Sequence, residues 1–305
     1  MGKIAFVFPG QGAQYPGMGR ELAEISPAAA EVFRTADAVR PGTSDQCFEG
    51  SEEMLRQTKI TQPCMFAVEM AAAAALAEAG VRGDMVAGFS LGELSALTYA
   101  GVVDLSTTFG LVCRRGQLMQ DAAGQVSTAM AAVVRLSSET VEKVCGQFEG
   151  VYPVNYNCPG QVAVAGLQDK MAEFSAAVKA AGGRAIPLKV SGGFHSPFMA
   201  HAAEEFGKLL EEITFRGPKL PLYSNCTGQP YDDQIKTLLG KQICSPVRWE
   251  SIVRHMIASG ADTFVEVGPG STLCGLISKI DPNVRTFAVS DRDSLMKCAA
   301  EVCKC

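Results

Sequence analysis

The run Gly88-Phe89-Ser90-Leu91-Gly92 constrains this chain more than any other segment, because it spells G-x-S-x-G between a strand-like and a helix-like stretch. Asp84-Met85-Val86-Ala87 reads as a short buried strand, and the residues from Glu93 to Ala100 as a helix that begins on the glycine. A backbone that turns from strand to helix so sharply needs glycine on both sides, where a Cβ would clash. The serine is then pushed into the open with its oxygen beside a helix N-terminus. Ser90 is therefore the candidate nucleophile. The plain alternative is a tight turn with an incidental serine, and the flanking strand and helix count against it.

Around the elbow the chain alternates strands and helices. Ile4–Phe8 reads as a strand ending in the loop Pro9-Gly10-Gln11-Gly12-Ala13-Gln14, and Ala29–Val39, Pro63–Ala79 and Ser106–Ala123 read as helices. Ala71 to Ala75 imply close helix packing. After Gly124 the pattern becomes β-α-β-β-α-β: strands at 127–135, 151–157, 161–166 and 185–190, helices at 138–148 and 170–181. That order predicts a ferredoxin-like unit. The larger pattern then returns, with helices at 197–213 and 249–259, strands at 220–224 and 263–267, and a helix running to Ile280. The expected fold class is α/β: a large domain with a mostly parallel sheet from residues 1–125 and 192–305, and an inserted ferredoxin-like small domain from 126–191.

Composition narrows the function classes. A net charge of −5 with no long basic run leaves no electrostatic footprint for nucleic acid. The 11 cysteines are scattered without framework spacing, which predicts reduced thiols and a cytoplasmic protein. Cys298, Cys303 and Cys305 crowd the C-terminus without a nearby histidine, so no metal site is expected there. The opening segment is too short for a signal peptide, and no stretch reads as a membrane span.

A serine hydroxyl needs a base within hydrogen-bond reach, and the chain has 3 histidines. His255 sits mid-helix, where a packed or surface role is the simpler reading. His195 lies in the glycine-rich loop Ser191-Gly192-Gly193-Phe194-His195-Ser196-Pro197, the kind of place where catalytic groups concentrate, and His201 is the alternative. Arg115 stands 25 residues after Ser90 on a helix with an apolar face. It is either a solvated arginine or a bidentate clamp for a substrate carboxylate, and spacing alone leaves both open.

Five segments occur in the order seen in malonyl-CoA:acyl carrier protein transacylases: Pro9-Gly10-Gln11-Gly12-Ala13-Gln14, Gly88 to Glu93, Arg115-Gly116, Phe194-His195-Ser196-Pro197 and Glu266-Val267-Gly268-Pro269-Gly270. The chain resembles that family from end to end, and the resemblance implies an α/β-hydrolase-like large domain. It also implies that Ser90 takes the malonyl group from malonyl-CoA and that His195 acts as the base. The acceptor would be the phosphopantetheine thiol of acyl carrier protein, in fatty acid or polyketide synthesis. Backbone N–H groups of Leu91 and Gln11 would hold the oxyanion, and Arg115 would pair with the malonyl carboxylate. The resemblance implies no cofactor and no metal, and a monomer is expected.

Asn157 and Gln161 match a family segment near the cleft and carry a supporting role. Phe194 bears on extender choice: in related polyketide acyltransferases phenylalanine before the histidine accompanies malonyl selection, and serine accompanies methylmalonyl. Two departures stand out. Phe89 occupies a position where family members most often have histidine, and Arg248 one where better-known members have glutamine. In the family a backbone carbonyl at the latter point orients the histidine, so the resemblance assigns that role to the Arg248 carbonyl. A serine hydrolase with the same elbow is the rival reading; an arginine clamp would be idle in a general esterase. Arg114, Lys189, Arg248 and Lys279 are the candidate docking cations for an acidic carrier protein.

Overall fold

The computed structural model describes residues 2–190 and 192–302; Ser191, Cys303 and Cys305, all named above, lie outside the described residues. Eight strands are present among them: β1 (Lys3–Phe8), β2 (Met85–Gly88), β3 (Thr128–Val134), β4 (Val151–Cys158), β5 (Gln161–Leu167), β6 (Arg184–Pro187), β7 (Ala261–Val267) and β8 (Arg285–Val289). They form two sheets. The first runs β2-β1-β7-β8 with every pair parallel, and the second runs β4-β5-β3-β6 with every pair antiparallel.

The parallel sheet follows from continuous apolar runs. β1 is buried from Ala5 to Phe8 and β2 throughout, as strands covered by helices on both faces must be. The antiparallel sheet packs one face against the helices Ser138–Cys145 and Met171–Ala180 through Val133, Val141, Val164, Phe174 and Val178. Its other face, carrying Met130, Val154, Ala163 and Ala165, joins the main core. The order strand, helix, two strands, helix, strand between Thr128 and Pro187 follows the expected pattern.

Three expectations need correction. The segment 220–224 is not a strand: Leu222 makes a single parallel bridge to Val86, and Pro221, which has no N–H, cannot extend the ladder. The helix expected at 197–213 opens as a 3-10 turn, Pro197–Met199, before Ala200–Glu211. The helix Thr58–Glu78 is long and apolar enough to match a membrane span by length and composition, with mean hydropathy 1.4, although no such stretch was expected. It is a core element: 78% of its most apolar stretch is buried, and Ala71, Ala72 and Ala75 allow its neighbours to approach closely.

The helix Ile235–Gln242, β8 and the helix Arg292–Val302 were not anticipated. The first of these shapes the site.

Candidate active site

The tip of β1, the turn after β2 and the loop before Ser196 meet above the carboxyl ends of the parallel strands. The elbow is as tight as its glycines imply. A Cβ on Gly88 would lie 1.8 Å from the Gly92 carbonyl carbon, and one on Gly92 would lie 2.1 Å from the Phe8 oxygen. Ser90 adopts φ 55 and His195 φ 60, both in the left-handed region that non-glycine residues seldom occupy. Such strain persists only where the surroundings enforce it. The Ser90 N–H donates to Asn225 Oδ1 at 2.7 Å, while Asn225 Nδ2 donates to the Gly88 carbonyl at 2.6 Å. Gln242 Nε2 donates to the Ser90 carbonyl at 2.6 Å.

His195 is the histidine that reaches the serine. Its Nε2 lies 2.7 Å from Ser90 Oγ, and its Nδ1 lies 2.9 Å from the backbone oxygen of Gln242. A carbonyl only accepts, so Nδ1 carries the proton and Nε2 is left to accept from the serine hydroxyl. Burial and the nearby Arg115 charge push the His195 imidazole down to about 4, against the opposing pull of the Gln242 carbonyl. The ring is therefore neutral at physiological pH, as a proton acceptor must be. His201 is exposed on the helix Ala200–Glu211, and His255 bonds Gly228 and Gln229 instead.

The Arg248 carbonyl does not orient His195. It accepts from Ile252 N at the start of the helix Trp249–Ala258, and the Arg248 side chain bonds the Cys226 carbonyl and lies over Tyr156. Gln242 takes the role because it ends the helix Ile235–Gln242, where terminal carbonyls lack intrahelical partners. The negative end of that helix also favours the imidazolium that forms when the ring accepts a proton.

Arg115 is fully buried. Its guanidinium donates to Gln62 Oε1 at 2.8 Å, to Gln242 Oε1 at 2.7 Å and to Ser90 Oγ at 3.3 Å. No carboxylate among the described residues lies within ion-pair distance, and Nε has no hydrogen-bond partner. Burial pulls the guanidinium down to about 10, with Glu93 opposing the shift. A buried cation held by neutral amides, one donor unused, beside the candidate nucleophile, has the chemistry to receive an anion.

A cavity of about 320 Å³ opens over these groups, lined by Gln11, Leu91, Phe194 and Lys189 besides Ser90 and His195. An adjoining lobe of about 230 Å³ shares Gln11, Phe89 and Asn155 with it and extends to Asn157 and Gln161. Asn157 and Gln161 thus line the far lobe rather than the reacting atoms. The Oδ1 atoms of Asn155 and Asn157 are buried without a hydrogen-bond partner among the described residues. Phe89 packs edge-on against Trp249 at 5.6 Å, which explains how an aromatic ring is accommodated beside the nucleophile.

The Acyl transferase domain family matches residues 5–283. The chain is 39% identical over 303 residues to the malonyl CoA-acyl carrier protein transacylase of Bacillus subtilis strain 168, covering 97% of this chain and 96% of that protein. The chain belongs to the malonyl CoA-acyl carrier protein transacylase family. The Escherichia coli K12 transacylase is 38% identical over 99% of this chain and 100% of its own length. Among solved structures, the Clostridium perfringens transacylase matches with TM-score 0.96 at 36% identity, covering 99% of this chain and 98% of that one. A malonyl-transacylase in complex with a type II PKS acyl-carrier protein matches with TM-score 0.94 at 36% identity, covering 98% and 99%.

Within this transacylase fold, sequence reasoning missed Gln242, Asn225, Gln62 and Glu93. Glu93 directly follows the elbow glycine, and that adjacency was the available signal. The other three come from remote segments with no motif of their own.

Proposed function

We propose that this transacylase moves a malonyl group from coenzyme A to the phosphopantetheine thiol of acyl carrier protein through a malonyl-serine at Ser90, supplying extender units for fatty acid synthesis. The single observation that carries the substrate is Arg115, a buried guanidinium without a carboxylate partner, within 3.3 Å of Ser90 Oγ. A malonyl carboxylate satisfies it; an acetyl group leaves it unpaired, at a cost of about 2–5 kcal/mol.

His195 Nε2 takes the Ser90 proton as Oγ attacks the thioester carbonyl. The oxyanion is received by the N–H groups of Leu91 and Gln11, neither of which donates to a protein acceptor among the described residues. Collapse breaks the C–S bond, and the leaving thiolate takes the proton back from His195. The carrier thiol then repeats the sequence in reverse, giving its proton to His195 and attacking the acyl-serine. Phe194, buried beside His195, crowds an α-methyl group and favours malonyl over methylmalonyl, a discrimination of about 1–3 kcal/mol.

We read the parallel sheet as an α/β-hydrolase-like large domain (1–125 and 192–305) and the antiparallel sheet as a ferredoxin-like insertion (126–191). The strand order β4-β5-β3-β6 supports the second reading. A monomer in the cytoplasm, without cofactor or metal, completes the proposal; the free thiols among the described residues support that location.

The test is intact-protein mass spectrometry after brief incubation with malonyl-CoA, beside acetyl-CoA and a Ser90→Ala control. A malonyl adduct on the unaltered protein alone, discharged by carrier protein, is the expected result. Release of coenzyme A without adduct, water being the acceptor, would instead favour a hydrolase.

A further inference from the structure

Arg115 sits in the active site without an ion pair, yet a buried cation needs compensation before substrate arrives. Glu93, in the first turn of the helix Gly92–Tyr99, is the fully buried carboxylate that faces it. The two are joined by one amide: Gln242 Oε1 accepts from Arg115 at 2.7 Å, and Gln242 Nε2 donates to Glu93 Oε2 at 2.8 Å. The same Nε2 donates to the Ser90 carbonyl, so one side chain ties the carboxylate, the guanidinium and the nucleophile's backbone together.

We propose that Glu93 is a positioning residue for malonyl recognition: through the Gln242 amide its carboxylate balances Arg115 in the empty site, and it takes up a solvent proton when the malonyl carboxylate replaces it as counter-charge. The inference rests on the carboxylate-clamp reading of Arg115 given above.

Electroneutrality is the physical reason. The empty site holds one buried cation and one buried anion. A second anion would leave a net buried negative charge, and protonating Glu93 restores the balance. The groups facing Glu93 suit this exchange. Oε1 accepts from Tyr231 Oη at 2.6 Å and from Asn225 N at 2.8 Å, Arg115 stands opposite, and the Cys226 thiol is nearby. His195 lies beyond Arg115, and Glu69, from the neighbouring helix Thr58–Glu78, is engaged by Ser95 rather than by Glu93. Burial raises the Glu93 carboxyl to about 7 against those hydrogen bonds and Arg115, so the proton is available near physiological pH.

The experiment measures binding of malonyl-CoA and acetyl-CoA to Ser90→Ala protein by calorimetry from pH 6.5 to 8.5, in buffers of different ionisation enthalpy. We expect the malonyl-CoA Kd to rise above pH 7, approaching about tenfold per pH unit, with proton uptake that acetyl-CoA lacks. Adding Glu93→Gln, a neutral isostere, should flatten the malonyl-CoA dependence and remove the uptake. Tyr231→Phe, which deletes one donor to the carboxylate, should move the onset to higher pH and keeps the test available if Glu93→Gln does not fold. A slope that survives Glu93→Gln, an onset unmoved in Tyr231→Phe, or malonyl-CoA that outbinds acetyl-CoA without any slope would overturn the proposal alone. Equal binding of the two thioesters at every pH would overturn the carboxylate clamp and this inference with it.

Discussion

The imidazole of His195 owes its neutral state to where it is held. Burial and Arg115 depress it to about 4, while the Gln242 carbonyl pulls the other way. A malonyl carboxylate on Arg115 would remove the second of those depressing causes and lift the ring toward its ordinary value, so the substrate would improve its own base. Because kcat/KM reports the free enzyme, its acid limb should fall near pH 4, well below the ordinary value near 6.5, while the limb in kcat lies higher. Stability carries the same sign: the unfolded chain takes up the His195 proton first, so the stability that the neutral ring contributes is complete above about 6.5 and is lost as pH falls toward 4. Thermal melts at pH 7 and pH 5 should therefore differ more for the unaltered protein than for His195→Gln. At Arg115, substitution by alanine should cost malonyl-CoA about 2–5 kcal/mol in kcat/KM and leave acetyl-CoA little changed, read from paired steady-state assays.

At the scale of elements, the end of the helix Ile235–Gln242 does two jobs with one residue. The Gln242 backbone oxygen fixes the histidine tautomer, and its side chain holds the guanidinium and the elbow. Gln242→Ala keeps the carbonyl and removes the side-chain bonds. Rates with malonyl-CoA should fall about a hundredfold, the size of effect that a small misplacement of reacting groups produces. Arg248→Ala should leave acylation unchanged, because its side chain bonds the Cys226 carbonyl and lies over Tyr156, away from Ser90 and His195. Single-turnover acylation of both variants separates the two; a loss in Arg248→Ala as large as that in Gln242→Ala would show that the Gln242 side-chain bonds are not what holds the site.

The whole molecule places the cavity between the two sheets, with the elbow from one and Met130 and Asn155 from the other lining it. A carrier protein must approach this mouth despite a net charge of −5 on this chain. Arg248 lies over Tyr156 on β4, and Lys279 bears on Cys158 at the end of the same strand. Reversing both to glutamate should raise the carrier-protein KM about tenfold at low salt with little effect on that for malonyl-CoA, since rim charges govern encounter. Equal effects on both substrates would place the docking surface elsewhere.

How much of this was legible beforehand depended on the range of the forces involved. The elbow, the alternation of strands and helices, and the β-α-β-β-α-β order are local: period, glycine placement and turn chemistry act within a few residues, so the strand–turn–helix around Ser90 and the order of the small unit could be read directly. His195 could be narrowed by elimination because the chain has only 3 histidines. Arg115 was ambiguous until burial showed it fully enclosed, since the same residue on a solvated face would mean nothing. The histidine's backbone partner was misassigned to Arg248, because any residue supplies a carbonyl and only the fold decides which one meets the ring. Asn225, Gln62 and Gln242 reach Ser90 or Arg115 from distant segments, up to 152 residues away. By itself, then, the sequence put forward a candidate nucleophile, the element order of the small antiparallel unit and a short choice of bases. The tertiary structure decided which groups meet, which are buried and which charges must balance, because desolvation and long-range hydrogen bonding exist only once the chain has closed on itself.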